Sequence, residues 1–150
     1  MNKTFRQGIF TPTNPEKYRG NANNIVFRSS WELSMNKFLD GNPNVLSWSS
    51  EEIKIPYLKP TTGRVHNYFP DYFMEYQNVS GEVIREIIEI KPSNQCHAPV
   101  PSRGKRRKTL LYEQQQWAVN EAKWKAAQSW CAARGLVFRV LTEKSLFKLT

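Results

Sequence analysis

The sequence predicts an α/β (α+β) fold in which a central mixed sheet is flanked by helices. Between residues 45 and 91, three segments with strand-like patterns follow one another with short connections. Helical patterns lie before and after them, and a further strand and a short helix follow, so the predicted order is α-β-β-β-α-β-α. Helices in this order can cover a sheet. The 150 residues suffice for one domain with its own core.

The N-terminal part is predicted to contain an irregular arm followed by the first helix. Residues 1–24 are rich in Pro, Asn and Gly, which favour turns and loops. The helix is expected to begin at Ser29, because Ser29 and Glu32 form the capping-box pattern. Gly41 and Pro43 are expected to end it. Its apolar stripe consists of Trp31, Met35, Phe38 and Leu39.

Three strand segments are expected to form an antiparallel meander. They are VLSWSSEEIKIPYL (45–58), VHNYFPDYFMEY (65–76) and EVIREIIEIK (82–91). The first alternates apolar and polar residues near its end, and the second is dense in aromatic residues. Turn residues at 61–63 and at 78–81 separate the three segments.

The second half is predicted to hold a loop, a long helix, a strand and a short helix. Residues 92–108 contain three prolines and a glycine, so we expect a long basic loop. Thr109 is a possible cap of the long helix, and Gly135 is suited to end it. Its large apolar residues recur every seven positions, at Leu110, Trp117, Trp124 and Cys131. LVFRVLT then predicts a strand, and EKSLFKL predicts a helix that begins at Thr142.

The charge balance favours an anionic partner. The chain has 22 Lys and Arg against 13 Asp and Glu, a net charge of +9 and an isoelectric point near 9.7. Nucleic acid is the usual partner of such a chain, although some small proteins are basic without binding it. No apolar stretch has the length of a membrane span, and the N-terminus lacks a signal-peptide core. Two cysteines indicate free thiols in a reducing compartment.

The segment IIEIKP (87–92) places two charges inside a run of isoleucines. Residues i and i+2 of a strand point to the same face, so Glu89 and Lys91 share one face. Ile88 and Ile90 are expected to point the other way, toward a core. An ion pair within the strand, or an ordinary solvated face, explains the same pattern.

Two further carboxylates give this pattern a chemical interpretation. Asp71 follows Pro70 in the neighbouring strand segment, and a hairpin would set Asp71 beside Glu89. A divalent cation would relieve the repulsion between them, since carboxylate oxygens suit Mg²⁺ or Mn²⁺. A turn or bulge after the proline is the alternative role of Asp71. Glu32 lies at the edge of the helical stripe, where it would meet the sheet, and its alternative role is to cap the helix with Ser29.

These residues carry a family resemblance. The sequence contains, in chain order, Glu32, Pro70-Asp71 and Glu89-Ile90-Lys91. This order resembles the PD-(D/E)xK nuclease superfamily, which implies a restriction-endonuclease-like αβββαβ core. FRSSWE, HNYFPDYF, EIKP, NEAKWKAAQSWC and FRVLTEKSL are similar to the TnsA-like endonucleases of transposons. The short single-domain form resembles the head-completion nucleases of tailed phages (myoviruses).

The resemblance implies a metal-dependent site. Asp71 and Glu89 would hold Mg²⁺, or Mn²⁺, together with the backbone carbonyl of Ile90. Lys91 would orient or deprotonate the attacking water and steady charge on the phosphate. Glu32 would bind a second metal or a water on the metal. Such a cation lowers the pKa of water and polarises a phosphate, here a DNA phosphodiester.

Three further groups are candidates for DNA contacts. Arg28, before the first helix, is suited either to a phosphate or to a carboxylate partner. His66 is suited to DNA contact or to a structural role. The basic cluster at the end of the loop would hold backbone phosphates, unless it is only a solvated loop tip. Its members are Arg103, Lys105, Arg106, Arg107 and Lys108.

The expected function is therefore a DNA nuclease that acts on packaged phage DNA during head completion and head–tail joining. The expected partners are DNA and phage portal or neck proteins, with no membrane. The expected location is the host cytoplasm during phage assembly, with association with the virion left open. The alternative is a non-enzymatic, basic DNA-binding or structural neck protein. Three converging acids count against it, because they would repel phosphates.

Overall fold

The computed structural model describes residues 7–146, without the side chain of Leu146. The strands in this part of the chain are β1 Gly8–Phe10, β2 Ile25–Phe27, β3 Val45–Ser50, β4 Ile55–Lys59, β5 Arg64–Tyr68, β6 Tyr72–Gln77, β7 Val83–Ile90 and β8 Val137–Leu141. The helices are α1 Ser30–Gly41, α2 Arg107–Ala132 and α3 Glu143–Leu146. Residues 147–149 of the predicted closing helix lie outside the described residues.

The central sheet has the order β3-β6-β7-β8. Its first two pairings are antiparallel, and β7 pairs with β8 in parallel. Helix α1 packs on one face, in a cluster that includes Trp48, Ile88 and Ile90. Helix α2 packs on the other face, where Cys131 meets Phe73 and Ile87. The mixed sheet flanked by helices is confirmed, and the elements α1, β3, β6, β7, α2 and β8 follow the αβββαβ order.

The first two predicted strands are each divided in two, which corrects the simple meander. After β3 the chain turns at Glu51, whose φ is 55°. Strands β4 and β5 then form a separate two-stranded hairpin. The second break lies at Phe69 and Pro70, since proline cannot donate to a ladder of backbone hydrogen bonds. The meander consists of β3, β6 and β7, with the β4–β5 hairpin inserted into it.

The N-terminal arm is not irregular throughout, which corrects the prediction for residues 7–24. Strands β1 and β2 pair antiparallel. Tyr18 is buried with its ring edge-on to Trp48, at a centroid distance of 4.8 Å. The Asp40 carboxylate accepts hydrogen bonds from the backbone N–H groups of Thr13 and Asn14, at 2.8 and 3.1 Å. The segment therefore packs on the body of the protein, and residues 1–6 lie outside the described part.

Helix α1 begins as predicted, with Ser29 as its N-cap. Helix α2 begins at Arg107, two residues before the predicted cap Thr109, and its N-cap Arg106 makes no side-chain capping bond. The predicted loop 92–108 therefore ends at Arg106, and Ser93–Gln95 within it forms a 3₁₀ turn. No helix in the described residues has the length and apolar character needed to cross a membrane.

The buried face of α2 differs from the predicted stripe. Its fully buried residues are Val119, Ala127 and Cys131. Trp117 and Trp124 are only partly buried and contact each other edge to face, at a centroid distance of 5.8 Å. The buried line of α2 thus consists of small side chains, while Trp124 and Trp130 pack at its edge and are only partly buried.

Candidate active site

The pairing of β6 with β7 brings Asp71 next to Glu89. Tyr72 lies opposite Ile88 in the antiparallel register, so one further step sets Asp71 opposite Glu89. Residues directly opposite in such a pair have Cα atoms about 4.5–5.5 Å apart. The Ile90 N–H donates to Oδ2 of Asp71 at 2.7 Å. The carboxylate of Asp71 is therefore held against the backbone between Glu89 and Lys91.

Alternation along β7 separates the isoleucines from the charges. Ile88 and Ile90 are buried in the cluster beneath α1. Glu89 points to the opposite face, which it shares with Ile87, and α2 covers that face farther along the strand. Glu89 and Lys91 are both only partly exposed. The two charges are therefore partly covered rather than on an open face, and this end of the strand, with Glu89 and Lys91, is called the recess below.

Tyr68, at the end of β5, orients the Glu89 carboxylate. Its side chain is buried, and its hydroxyl donates a hydrogen bond to Oε2 of Glu89. Burial raises the pKa of Glu89, while the Tyr68 hydrogen bond and the charges of Lys91 and Lys123 oppose the rise. Burial, followed by the negative charge of Glu89, raises the pKa of Tyr68 far above its usual value, so the hydroxyl remains a donor.

Lys123 reaches the same recess from α2. Its ammonium lies 5.8 Å from the ring centre of Tyr57 and 5.6 Å from that of Tyr68. Burial lowers the pKa of Lys123, and the Glu89 charge opposes that effect. The sequence reasoning missed both Tyr68 and Lys123. A signal for Lys123 was present, since it interrupts an apolar line of Val119, Ala127 and Cys131 at four-residue spacing.

Glu32 lies at the start of α1, where it takes part in the cap. The Glu32 N–H donates to Oγ of Ser29 at 3.3 Å, and Oε2 of Glu32 accepts from the Arg28 N–H at 2.9 Å. The carboxylate thus reaches one residue beyond the usual capping box. The Tyr72 hydroxyl donates to the Glu32 carbonyl at 3.0 Å, which ties the helix start to β6.

Arg28 forms an ion pair with Glu51, the carboxylate alternative expected from the sequence. Its Nη1 lies 2.7 and 2.6 Å from the two carboxylate oxygens of Glu51. The pKa of Arg28 is raised first by this hydrogen-bonded pair, and the charges of Glu32 and Asp71 add to the effect. Glu32 and Asp71 therefore act on the same guanidinium. Glu51 was missed because nothing in EE at 51–52 reveals the positive φ that turns Glu51 toward Arg28.

The donor atoms at the strand end suit a hard cation. The carboxylates of Asp71 and Glu89 and the backbone carbonyl of Ile90 are oxygen donors, which Mg²⁺ and Mn²⁺ prefer. Within residues 7–146, no three His, Cys, Asp or Glu side chains cluster closely enough to hold a metal ion by themselves. Backbone or water oxygens would have to complete the coordination. That Glu32 takes part in the same metal site as Asp71 and Glu89 stays a prediction.

The remaining predicted DNA contacts are His66 and the basic cluster. Nε2 of His66 is 3.0 Å from Oγ1 of Thr62, and its ring packs near Tyr57. In the basic cluster, Lys105 pairs with Glu113 at 2.9 Å. The other members are exposed and make no ion pair within the described residues: Arg103, Arg106, Arg107 and Lys108. Contact with DNA stays a prediction for Arg28, His66 and the cluster.

Comparison with known proteins gives two matches. The family model for the TnsA-like endonuclease N-terminal domain matches residues 42–143, a range that contains Asp71, Glu89, Lys91 and Lys123 but not Glu32. The head completion nuclease of Enterobacteria phage T4 is 39% identical over 142 residues. That alignment covers 93% of this chain and 92% of the phage protein. No solved structure gives a significant match.

Proposed function

This chain belongs to the TnsA-like endonuclease family, and from that membership we propose that it is a metal-dependent nuclease that hydrolyses DNA phosphodiester bonds. The observation that carries the proposal is the bond from the Ile90 N–H to Asp71 at 2.7 Å. It fixes one carboxylate beside Glu89 and Lys91, an arrangement suited to metal-assisted hydrolysis of a phosphodiester.

The proposed biological setting is supported by the phage relative, which is named a head completion nuclease. In our proposal the protein acts on packaged DNA during head completion and head–tail joining. Portal or neck proteins are its proposed partners besides DNA. The work takes place in the host cytoplasm during phage assembly, and residues 1–150 serve as a single nuclease domain.

The residues at the strand end have separate roles in this proposal. Asp71, Glu89 and the Ile90 carbonyl hold Mg²⁺, with Mn²⁺ as a substitute. When bound, the cation polarises the phosphate and lowers the pKa of a water. Lys91, on the same face as Glu89, orients the attacking water and offsets negative charge on the phosphate. Glu32, from the side of α1, holds a second cation or a water on the cation.

Two neighbours keep these groups in place. The Ile90 N–H donates to Oδ2 of Asp71 and so fixes the orientation of this carboxylate. The Tyr68 hydroxyl holds Oε2 of Glu89 in the same way. A carboxylate fixed before the substrate arrives needs no reorganisation during the reaction. The fold thus presents the acids already oriented.

The test is a plasmid-nicking assay with Mg²⁺ or EDTA. Asp71→Asn and Lys91→Met are compared with Lys37→Met, which alters an exposed lysine of α1. We expect Mg²⁺-dependent nicking by the wild type and by Lys37→Met. The two site variants are expected to be slower by about 10²-fold or more, with unchanged thermal unfolding.

Two results would count against the proposal. Equal nicking by all four proteins would indicate a contaminating nuclease. DNA binding without nicking by the wild type, with either cation, would instead favour a DNA-binding or structural neck protein.

A further inference from the structure

We propose that Lys123 is a further catalytic residue, which binds a phosphate oxygen of the DNA at the cleavage site. The inference rests on the proposed nuclease function and adds a substrate contact from α2. Four observations carry it: the position of Lys123 on the helix, the contacts of its ammonium, its place beside Glu89, and the charge of the recess.

The position of Lys123 on α2 is unusual for a lysine. Val119, Ala127 and Cys131 are 6%, 0% and 1% exposed, and Lys123 lies on the same line at four-residue spacing. This face packs on the sheet and on the β4–β5 hairpin. An ammonium there loses solvation, which costs free energy unless a partner compensates. Stability alone therefore favours an apolar residue at this position.

The contacts that the ammonium makes leave its hydrogen-bond donors available. It lies over the rings of Tyr57 and Tyr68, and ring faces attract a cation without accepting its hydrogen bonds directionally. Within residues 7–146, no carboxylate is at ion-pair distance from it. The rings therefore fix the direction of the side chain while three N–H donors remain for an acceptor.

One of the two rings beside Lys123 is also bonded to a carboxylate of the candidate site. Tyr68, one of the two rings, donates its hydroxyl to Glu89. Lys123 and Lys91 both act electrostatically on Glu89, so both ammonium groups lie near this carboxylate. An acceptor entering this recess meets Lys91 from the strand and Lys123 from the helix.

The charge of the recess indicates what that acceptor is. Asp71 and Glu89 alone would repel a phosphodiester, and Lys91 offsets one of the two charges. Lys123 offsets the second and provides donors to an anionic oxygen, which are the properties of a phosphate clamp. A phosphate oxygen of the bound DNA matches this chemistry, since it is anionic and accepts several hydrogen bonds.

The test compares Lys123→Met with Lys125→Met. Lys125 is on the same helix two residues away, its side chain is 73% exposed, and it pairs with Glu121. DNA binding is measured in EDTA by fluorescence anisotropy across a range of KCl concentrations, and nicking is measured with Mg²⁺. We expect Lys123→Met to make the slope of log K against log[KCl] less negative by about 0.9, since one phosphate contact is lost. Its nicking rate should fall by about 10²-fold.

Lys125→Met should match the wild type in both assays. The melting temperature of Lys123→Met should be equal to or higher than that of the wild type, because a partly buried charge is removed. If Lys123→Met does not fold, Lys123→Arg replaces it, and we expect that variant to keep the wild-type slope. A folded Lys123→Met with the wild-type slope would overturn the phosphate contact, whatever its nicking rate. A wild type that does not nick DNA would refute the nuclease function instead, so the two failures are distinguishable.

Discussion

The salt dependence of DNA binding tests the basic cluster quantitatively. Lys105 is engaged by Glu113 at 2.9 Å, whereas Arg103, Arg106, Arg107 and Lys108 are exposed and without an ion pair in the described residues. Each phosphate contact contributes about 0.9 to the slope of log K against log[salt], because it releases counterions from the DNA. Four contacts therefore contribute about 3.6 to that slope.

The perturbation replaces these four cations with glutamine in one variant. Between 50 and 200 mM KCl, a slope difference of about 3.6 changes the affinity ratio of wild type to variant by about 150-fold. A fluorescein-labelled duplex titrated in EDTA gives both slopes without cleavage. Adding Lys105→Gln should change the slope by less than the contribution of one phosphate contact, because Glu113 already neutralises the Lys105 ammonium.

A control variant shows whether position or net charge causes the change. Lys37→Gln with Arg85→Gln removes two exposed cations from α1 and β7. We expect the slope of this double variant to equal that of the wild type. A quadruple variant with the wild-type slope would refute the phosphate-binding role of the cluster. If the slope changed by the same amount per removed charge in both variants, DNA binding would depend only on the net charge of +9.

Two further predictions concern stability and thiol chemistry. Arg139→Met should lower the free energy of unfolding by about 2 kcal/mol, measured by urea denaturation, because Arg139 lies 2.8 Å from the buried carboxylate of Glu86. This loss is smaller than that for a fully buried ion pair because the guanidinium is half-exposed. Adding Glu86→Gln to Arg139→Met should restore part of the lost stability. Strictly additive effects of the two substitutions would contradict an interaction between Arg139 and Glu86. Burial raises the pKa of Cys131 to about 11. In a Cys96→Ser variant, where Cys131 is the remaining thiol, labelling of the folded protein by a disulfide reagent should therefore be slow at pH 8. The labelling rate should rise about tenfold per pH unit up to that pKa, and fast labelling of the folded protein at pH 8 would contradict it.

Local signals made several elements predictable. Ser29 caps α1, and three members of the predicted stripe, Trp31, Met35 and Leu39, are buried. Each of these features depends on residues within two helical turns, so the sequence contains the whole signal. The opposite faces of Ile88 and Glu89 follow equally from the two-residue period of a strand.

Features that depend on distant pairing were not predictable in the same way. The alternation in residues 45–58 continues through Ile55 and Tyr57, so periodicity alone does not reveal the turn at Glu51. Strand Gly8–Phe10 has three residues, too few to show a period, and its partner lies beyond a turn-rich segment. Tertiary contacts decide both features.

The candidate site shows the same division. The pairing of Asp71 with Glu89 is predictable because the Pro-Asp and Glu-x-Lys patterns are short and lie on adjacent strand segments. Tyr68 belongs to a hairpin whose separation from the main sheet was not foreseen. Lys123 is not evident from the sequence because the tryptophans at 117 and 124 indicate a neighbouring face of the helix, whereas the buried residues are Val119, Ala127 and Cys131.

The parallel pairing of β7 with β8 has a consequence for the order in which the site is completed during synthesis. The Lys91 N–H donates to the Leu141 carbonyl at 2.9 Å. Parallel neighbours need a crossover, here α2, so about fifty residues must be made after Lys91 before its strand gains this partner. A nascent chain can therefore contain Asp71, Glu89 and the whole basic cluster while one edge of the Glu89 strand is still unpaired. Attraction to DNA would then arise earlier in synthesis than the finished reaction centre.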